Sequence, residues 1–434
     1  MRKGWQRKQI GDLCEVIAGQ SPEGKYYNSE GKGMPFYQGK KDFGEKFIED
    51  PTTWTTQTTK IAREGDILMS VRAPVGPVNF ATDEVCIGRG LAAIRSRAEL
   101  NRDFLFYQLL YLQPEIAGKE GAVFASIGKS EIEVFPIAFA PLPEQQRIVG
   151  ILDEAFDGIA IAKANAEKNL QNARAVFECV LNVAIQGKSL PQHPGDDSVT
   201  DLIRHLKELR SIAIDQDRTK SGKTDPIEKY AEWPFELPSG WKWTRLESLT
   251  VCISDGVHKK PEYAAEGIPF ITVKNLTAGA GICFDDLNHI TRADHEDFIR
   301  RTHPEKGDIL ITKDGTIGVV RLVETDIEFS IFVSVALIKP VMRELGPYLV
   351  YALRASCVQS QIVRKGAALK HLYLVDLRRL AIPLPPLSEQ RRIVASLDAV
   401  NTETQRLESI YQQKLAALEE LKKSLLHQAF TGQL

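Results

Sequence analysis

The stretch PLPEQQRIVGILDEA at 141–155 returns as PLSEQRRIVASLDAV at 386–400, with nine of fifteen positions identical at an offset of 245. A chain that writes the same phrase twice at that distance folds as two copies of one unit, and internal repeats are read before anything else. Other anchors keep the same order. Gly4-Trp5, followed by Ile10 and Leu13, returns as Gly240-Trp241, followed by Leu246 and Leu249. GDIL at 65–68, with Gly76 beyond it, returns as GDIL at 307–310 with Gly318, and AIQGK at 184–188 returns as AFTGQ at 429–433. The offset drifts only from 236 to 245, so the chain is a tandem duplication.

Each copy changes texture at the repeated phrase. Before it lie β-branched runs such as DILMSV and FVSVALI between Gly- and Pro-rich loops, which spell short strands with long connections. After it the apolar residues step by threes and fours, the pattern of a long helix seam. Ile148, Leu152, Ile159, Leu170 and Phe177 carry the first seam, and Ile393, Leu397, Val400, Leu407, Leu418 and Leu425 carry the second. Pro143 suits the first helical position, Ser388 is positioned to cap the second helix, Glu144 and Glu389 lie in the first turns, and Gly187 and Gly432 stop the helices. Each rod is then about 60 Å long at 1.5 Å per residue. A seam of that length exceeds what a domain of this size can cover, so the two helices are expected to pack on each other.

The expected organisation is α+β: a β-rich domain with long loops at 1–140, a coiled-coil helix at 141–188, a connector with one helix and a linker at 189–239, a second such domain at 240–385, and a second coiled-coil helix at 386–434. The 434 residues allow two or three domains of ordinary size. An apolar fraction of 43% and a charged fraction of 26% are those of a globular protein without a membrane span. The basic start MRKGWQRKQIGDL has no apolar stretch behind it, which places the expectation in the cytosol. The six cysteines are scattered without a C-x-x-C pair, suiting reduced thiols and arguing against a zinc knuckle. A net charge of −2 argues against non-specific coating of DNA and leaves a local basic face open.

Catalytic motifs fail on their spacing. Three Gly-Lys-Ser/Thr triplets begin at 128, 187 and 222 in the order Gly128, Gly187 and Gly222, but Val123, Asn182 and Asp217 stand where a phosphate loop needs its first glycine. Glu23-Gly24-Lys25 and Glu30-Gly31-Lys32 echo a nuclease carboxylate–lysine pair, yet lie in loop sequence instead of on adjacent strands around a metal. His205 and Glu208 lie on a surface helix pattern. No catalytic centre, metal site or cofactor site is expected in this chain.

The frames of the two copies match while their loops diverge: GQSPEGKYYNSEGKGMPFYQGKKDFG against SDGVHKKPEYAAEGIPFITVKNL. One frame with two different loop sets presents two different reading surfaces. The loops mix cations, amides and aromatics, the chemistry that reads base edges and positions phosphates. The candidates are Lys25, Tyr26, Tyr27, Gln38, Lys40, Lys41 and Arg72 in the first copy, and His258, Lys259, Lys260, Lys274, Asn275, Lys313, Lys370 and His371 in the second.

The order G-W-x4-[IL]-x-x-L, GDIL, and PL-x-EQ-x-R-IV leading into a long helix, all of it twice, resembles the specificity subunit of type I DNA restriction-modification systems. The resemblance spans essentially the whole chain. It implies two target-recognition domains, each binding one half of a split double-stranded DNA sequence, separated by two antiparallel helices in a pseudo-twofold duplication. It further implies two adenine-methyltransferase subunits docked on the helices, with motor-nuclease subunits able to join, and S-adenosylmethionine, ATP and Mg²⁺ bound by those partners. The long central stretch 189–239 departs from the repeat. The alternative is a self-contained DNA methyltransferase or nuclease with an unrecognised centre, which methyl-donor binding by the purified chain would reveal.

Overall fold

The computed structural model describes residues 4–118, 126–191, 193, 195–217, 233–362 and 371–434. It divides into two compact units, Met1–Asn169 with Ile410–Leu434, and Leu170–Ser409. Each unit thus takes one part of each long helix.

The first unit is built on a four-stranded antiparallel sheet in the order Cys14–Ala18, Leu91–Ser96, Ile67–Ser70 and Val78–Phe80. Its GDIL strand is buried at every residue of Ile67–Ser70, so polar alternation gives way to a continuous apolar run. The Gly-Asp that precedes the strand is structural. Gly65 turns the chain at φ +81°, and buried Asp66 accepts from the Arg63 backbone N–H at 2.8 Å and from Arg95 on the neighbouring strand at 2.9 and 2.8 Å. A second sheet runs Tyr27–Asn28, Trp54–Thr55, Met34–Tyr37, Val85–Ile87 and Ile61–Ala62, with Met34–Tyr37 parallel to Val85–Ile87. Gln6–Gln9 pairs with Pro136–Phe139, bringing the start of the unit back to the start of the long helix.

The second unit repeats this plan. Thr250–Asp255, Val335–Pro340, Ile309–Thr312 and Val320–Leu322 form the four-stranded sheet, and Lys242–Arg245 pairs with Ala381–Leu384. Ile268–Ile271 runs parallel to Ser330–Ile331 within the other sheet, as its counterpart does in the first unit. Gly307 turns at φ +93°, and buried Asp308 accepts from the Glu305 N–H and from Lys339, both at 2.8 Å. Lys339 takes the place of Arg95, so the cation beneath the turn is kept while its identity is not.

The long helices are Leu142–Ile185 and Leu387–Thr431. Within the first unit, Ile148 and Leu152 share a core with Leu426, Ala429 and Phe430; Arg147 donates to the Leu434 carbonyl at 2.9 Å and Lys163 to Glu419 at 3.0 Å. Within the second, Phe177 and Leu181 share a core with Ile393 and Leu397, and Arg174 donates to Glu408 at 3.2 Å. The helix segments are antiparallel in both units. The remaining seam positions Ile159, Leu170, Val400, Leu407, Leu418 and Leu425 are half-buried. Gly187 and Gly432 end the helices at φ +71° and +80°, the left-handed conformation that glycine adopts without a side-chain clash.

One expectation is corrected, and one segment gains a role. Ser388 does not cap its helix: it is the second helical residue, and its hydroxyl donates to Asp196 at 2.8 Å. The stretch after the first long helix does more than connect. Asp196 accepts two hydrogen bonds from Arg392, at 2.7 and 2.8 Å, and the helix Val199–Asp217 buries Val199 and Leu206 in the second unit's core while Arg210 donates to the Thr250 carbonyl at 3.0 Å.

Candidate nucleic-acid interface

In the first unit the strand Met34–Tyr37 ends at Gln38, and the strand Ile67–Ser70 ends beside Arg72. Gln38, Lys40, Arg72 and Arg89 line one cleft of about 200 Å³, floored by Gly39 and Gly90. The glycine at 90 is required by a close approach: a Cβ there would stand 2.3 Å from the Gln38 carbonyl oxygen. Ser70 holds the turn from beneath by donating from its hydroxyl to the carbonyls of Arg72 at 3.2 Å and Pro74 at 3.0 Å. The four polar side chains are exposed, and none has a hydrogen-bond or ion-pair partner among the described residues. Among the described residues no carboxylate lines the cleft. Four uncommitted side chains, three of them cationic, therefore converge where an electron-rich edge or an anion would complete them.

The other first-unit candidates are more committed. Lys25 pairs with Glu23 at 2.6 Å and lies 5.0 Å from the Tyr26 ring centre. Tyr27 stacks on Phe36 with ring centres 4.8 Å apart and donates its hydroxyl to the Pro22 carbonyl. Lys41 is exposed and 3.7 Å from Asp42. The second nuclease-like pair is a surface contact as well, Lys32 on Glu30 at 2.6 Å.

The second unit arranges its charges differently. Lys259 and Lys260 are exposed in the loop after Thr250–Asp255, without partners among the described residues, and His258 beside them contacts Asp255 at 3.2 Å. Lys274 is exposed and paired with Asp286. Asn275, expected to read a base, is only 4% exposed: its amide donates to the Cys283 and Asp286 carbonyls and its oxygen accepts from Thr272. That residue builds the loop and has no free edge to offer. Lys313 is corrected in the same way, since it is 2% exposed and donates to buried Asp255 at 2.9 Å. Arg301 holds the other Asp255 oxygen at 2.7 Å. Burial works to raise the Asp255 carboxyl, but Lys313, with Arg301 and His258, outweighs it and holds the group below its ordinary value. His371 is bound to Asp314. Lys370 lies outside the described residues.

Sequence reasoning missed Arg89. Its signal was the tripeptide Gly88-Arg89-Gly90 at the entry to the buried strand Leu91–Ser96, where two glycines let backbones close and force the residue between them outward. Among the described residues no group of His, Cys, Asp or Glu side chains could hold a metal ion, and no helix is long and apolar enough to cross a membrane.

The family model described as "Type I restriction modification DNA specificity domain" matches residues 2–172 and again 238–419. Over 188 residues the chain is 39% identical to the putative type I restriction enzyme MjaX specificity subunit of Methanocaldococcus jannaschii, a match that covers 42% of this chain and 43% of that relative, less than half its length. Over 450 aligned positions it is 22% identical to the type I restriction enzyme EcoBI specificity subunit of Escherichia coli, covering 99% of this chain and 86% of the relative. Among solved structures, a chain from work on complex assembly and conformational transition of the type I R-M system superposes with a TM-score of 0.71 at 20% identity, covering 100% of this chain and 99% of that one. The HsdS subunit of Thermoanaerobacter tengcongensis gives 0.51 at 19% identity, covering 100% and 98%. At those identities the structural likeness establishes the fold alone. With the doubled family match and the doubled frame together, the chain belongs to the type I restriction-modification DNA-specificity family and carries that domain twice.

Proposed function

We propose that each unit reads one half of a split double-stranded DNA sequence, and that the long helices hold two DNA-methyltransferase subunits and allow motor-nuclease subunits to join. One observation carries the reading: the two units share a strand order while the polar groups above it differ. A shared frame serves a common partner, and different surfaces serve two different targets. Ile161 and Val176 on the first helix and Ile410 and Leu421 on the second are exposed apolar side chains available to such partners. Methyl transfer and ATP-driven cleavage belong, in this reading, to the partner subunits, which bind S-adenosylmethionine, ATP and Mg²⁺.

The test is a methylome of cells carrying this chain with its methyltransferase partner, with residues 1–140 exchanged for those of a homologue. The expected result is a change in one half of the methylated sequence and none in the other. Alteration of both halves would show that the units do not read independently. Methyl transfer by the chain alone, at the rate of the assembly, would place the chemistry here instead.

A further inference from the structure

The two units can be aligned residue by residue at the rim of the cleft. In the first, the Val71 carbonyl accepts from the Ile127 N–H at 3.0 Å and Arg72 bridges to Ser126. In the second, the Lys313 carbonyl accepts from the Leu372 N–H at 3.0 Å and Asp314 bridges to His371. Arg72 and Asp314 therefore occupy the same place at the end of the same strand with opposite charge.

We propose that this position is a specificity determinant: Arg72 reads a guanine in the first half-site, and Asp314 accepts from a base amino group, cytosine N4 or adenine N6, in the second. The inference rests on the DNA-reading role proposed above and names what the site reads. Arginine can also bind phosphate, and the charge reversal decides between the two. Every half-site has the same backbone, so a phosphate anchor common to both readers cannot be cationic in one and anionic in the other, where a carboxylate would repel it. A base-reading position can reverse, because guanine offers two acceptors in the major groove whereas cytosine and adenine each offer an amino donor. The surroundings agree with each assignment. Among the described residues Arg72 has no side-chain partner, stands in a recess with Arg89 and Gln38, and meets no carboxylate there. The Asp314 side chain is 39% exposed; His371 engages its Oδ1, and no described residue engages its Oδ2, which can meet an amino group.

The experiment profiles methylated sites in cells that express the full chain with its methyltransferase partner, for wild type, Arg72→Ala, Arg72→Lys and Asp314→Asn, with purified assemblies checked by thermal melting. For Arg72→Ala the expected result is that discrimination for guanine at one base pair of the first half-site falls about 5- to 150-fold while the second half-site is unchanged. Arg72→Lys should keep part of it. Asp314→Asn, whose amide retains one acceptor, should alter one base pair of the second half-site only, and it supplies an independent reading if an Arg72 variant melts early. Uniform weakening on all sequences with a lower salt dependence would identify Arg72 as a phosphate contact and overturn the proposal. An unchanged methylome in both Arg72→Ala and Asp314→Asn would overturn it as well. Failure of the wild type to methylate any split sequence would instead bring down the DNA-reading role on which it rests.

Discussion

Beneath the end of one shared strand the two units differ in polarity. In the first, the residue after the strand Ile67–Ser70 is Val71, and exposed Ala18 stands on the strand beyond Leu91–Ser96; in the second the equivalent places hold Lys313 and Asp255, joined as a buried ion pair. The apolar version needs no partner. The charged version holds only while both members are present, because two ions taken from water are offset by each other and by further hydrogen bonds. Here Arg301 and His258 supply those bonds. The comparison teaches that one strand frame accepts a buried charge where its counter-charge is supplied with it.

The largest expected effect breaks the pair. Asp255→Ala should destabilise the second unit by about 3–5 kcal/mol, since it strands a buried lysine charge, whereas Asp255→Ala with Lys313→Val, the residues of the first unit, should recover most of that loss. Urea denaturation followed by hydrogen exchange within 170–409 measures both; a double variant no better than the single would refute the pairwise account. Acid should act on the same pair. The Asp255 carboxyl is held below its ordinary value, so its contribution is complete above the unfolded value of about 3.9 and is lost as the pH falls through the lower folded value. Amide exchange near Ile253 should accelerate there in wild type and not in the double variant.

A smaller effect sharpens the comparison at the cleft floor. Gly90 has Ser334 as its counterpart: the Val71 N–H donates to the Gly90 carbonyl at 3.0 Å and the Lys313 N–H to that of Ser334 at 2.7 Å. Gly90→Ala places a methyl group against the Gln38 carbonyl and should cost on the order of 1–3 kcal/mol, while Ser334→Ala should stay within about 0.5 kcal/mol. Equal melting shifts in the two variants would mean that the first cleft has no special closure.

The smallest effects concern the uncommitted lysines. Lys40→Ala in the first unit and Lys260→Ala in the second should each weaken DNA binding across all sequences and reduce the magnitude of the salt slope by about one, with no change in stability. Binding titrations at several salt concentrations with matched and mismatched duplexes check this. A loss confined to one sequence would make either lysine a base reader.

The duplication, the strand-rich halves and the long helices were legible in the sequence because their signals are local: a repeated phrase, an apolar period and a glycine at each helix stop all lie within one stretch of chain. Part of the cleft was legible too, since Gln38, Lys40 and Arg72 are polar residues at the ends of apolar runs. Asn275 and Lys313 carried the same local signal but are buried: Asn275 by a loop that folds back on it, through Cys283 and Asp286, and Lys313 by Asp255, far along the chain. Arg89 was overlooked for the converse reason: its neighbours in sequence are glycines, and its company in the cleft comes from two other segments of the chain, 38–40 and 70–73.

By itself, then, the sequence determined that this chain is one frame written twice, since backbone periodicity and turn chemistry act over a few residues and are copied with the words that encode them. Only the tertiary structure decided which polar side chains are spent inside and which remain for a ligand. Whether a charge is buried and paired depends on what the fold brings to within 3 Å of it, and for Lys313 that was a carboxylate 58 positions away.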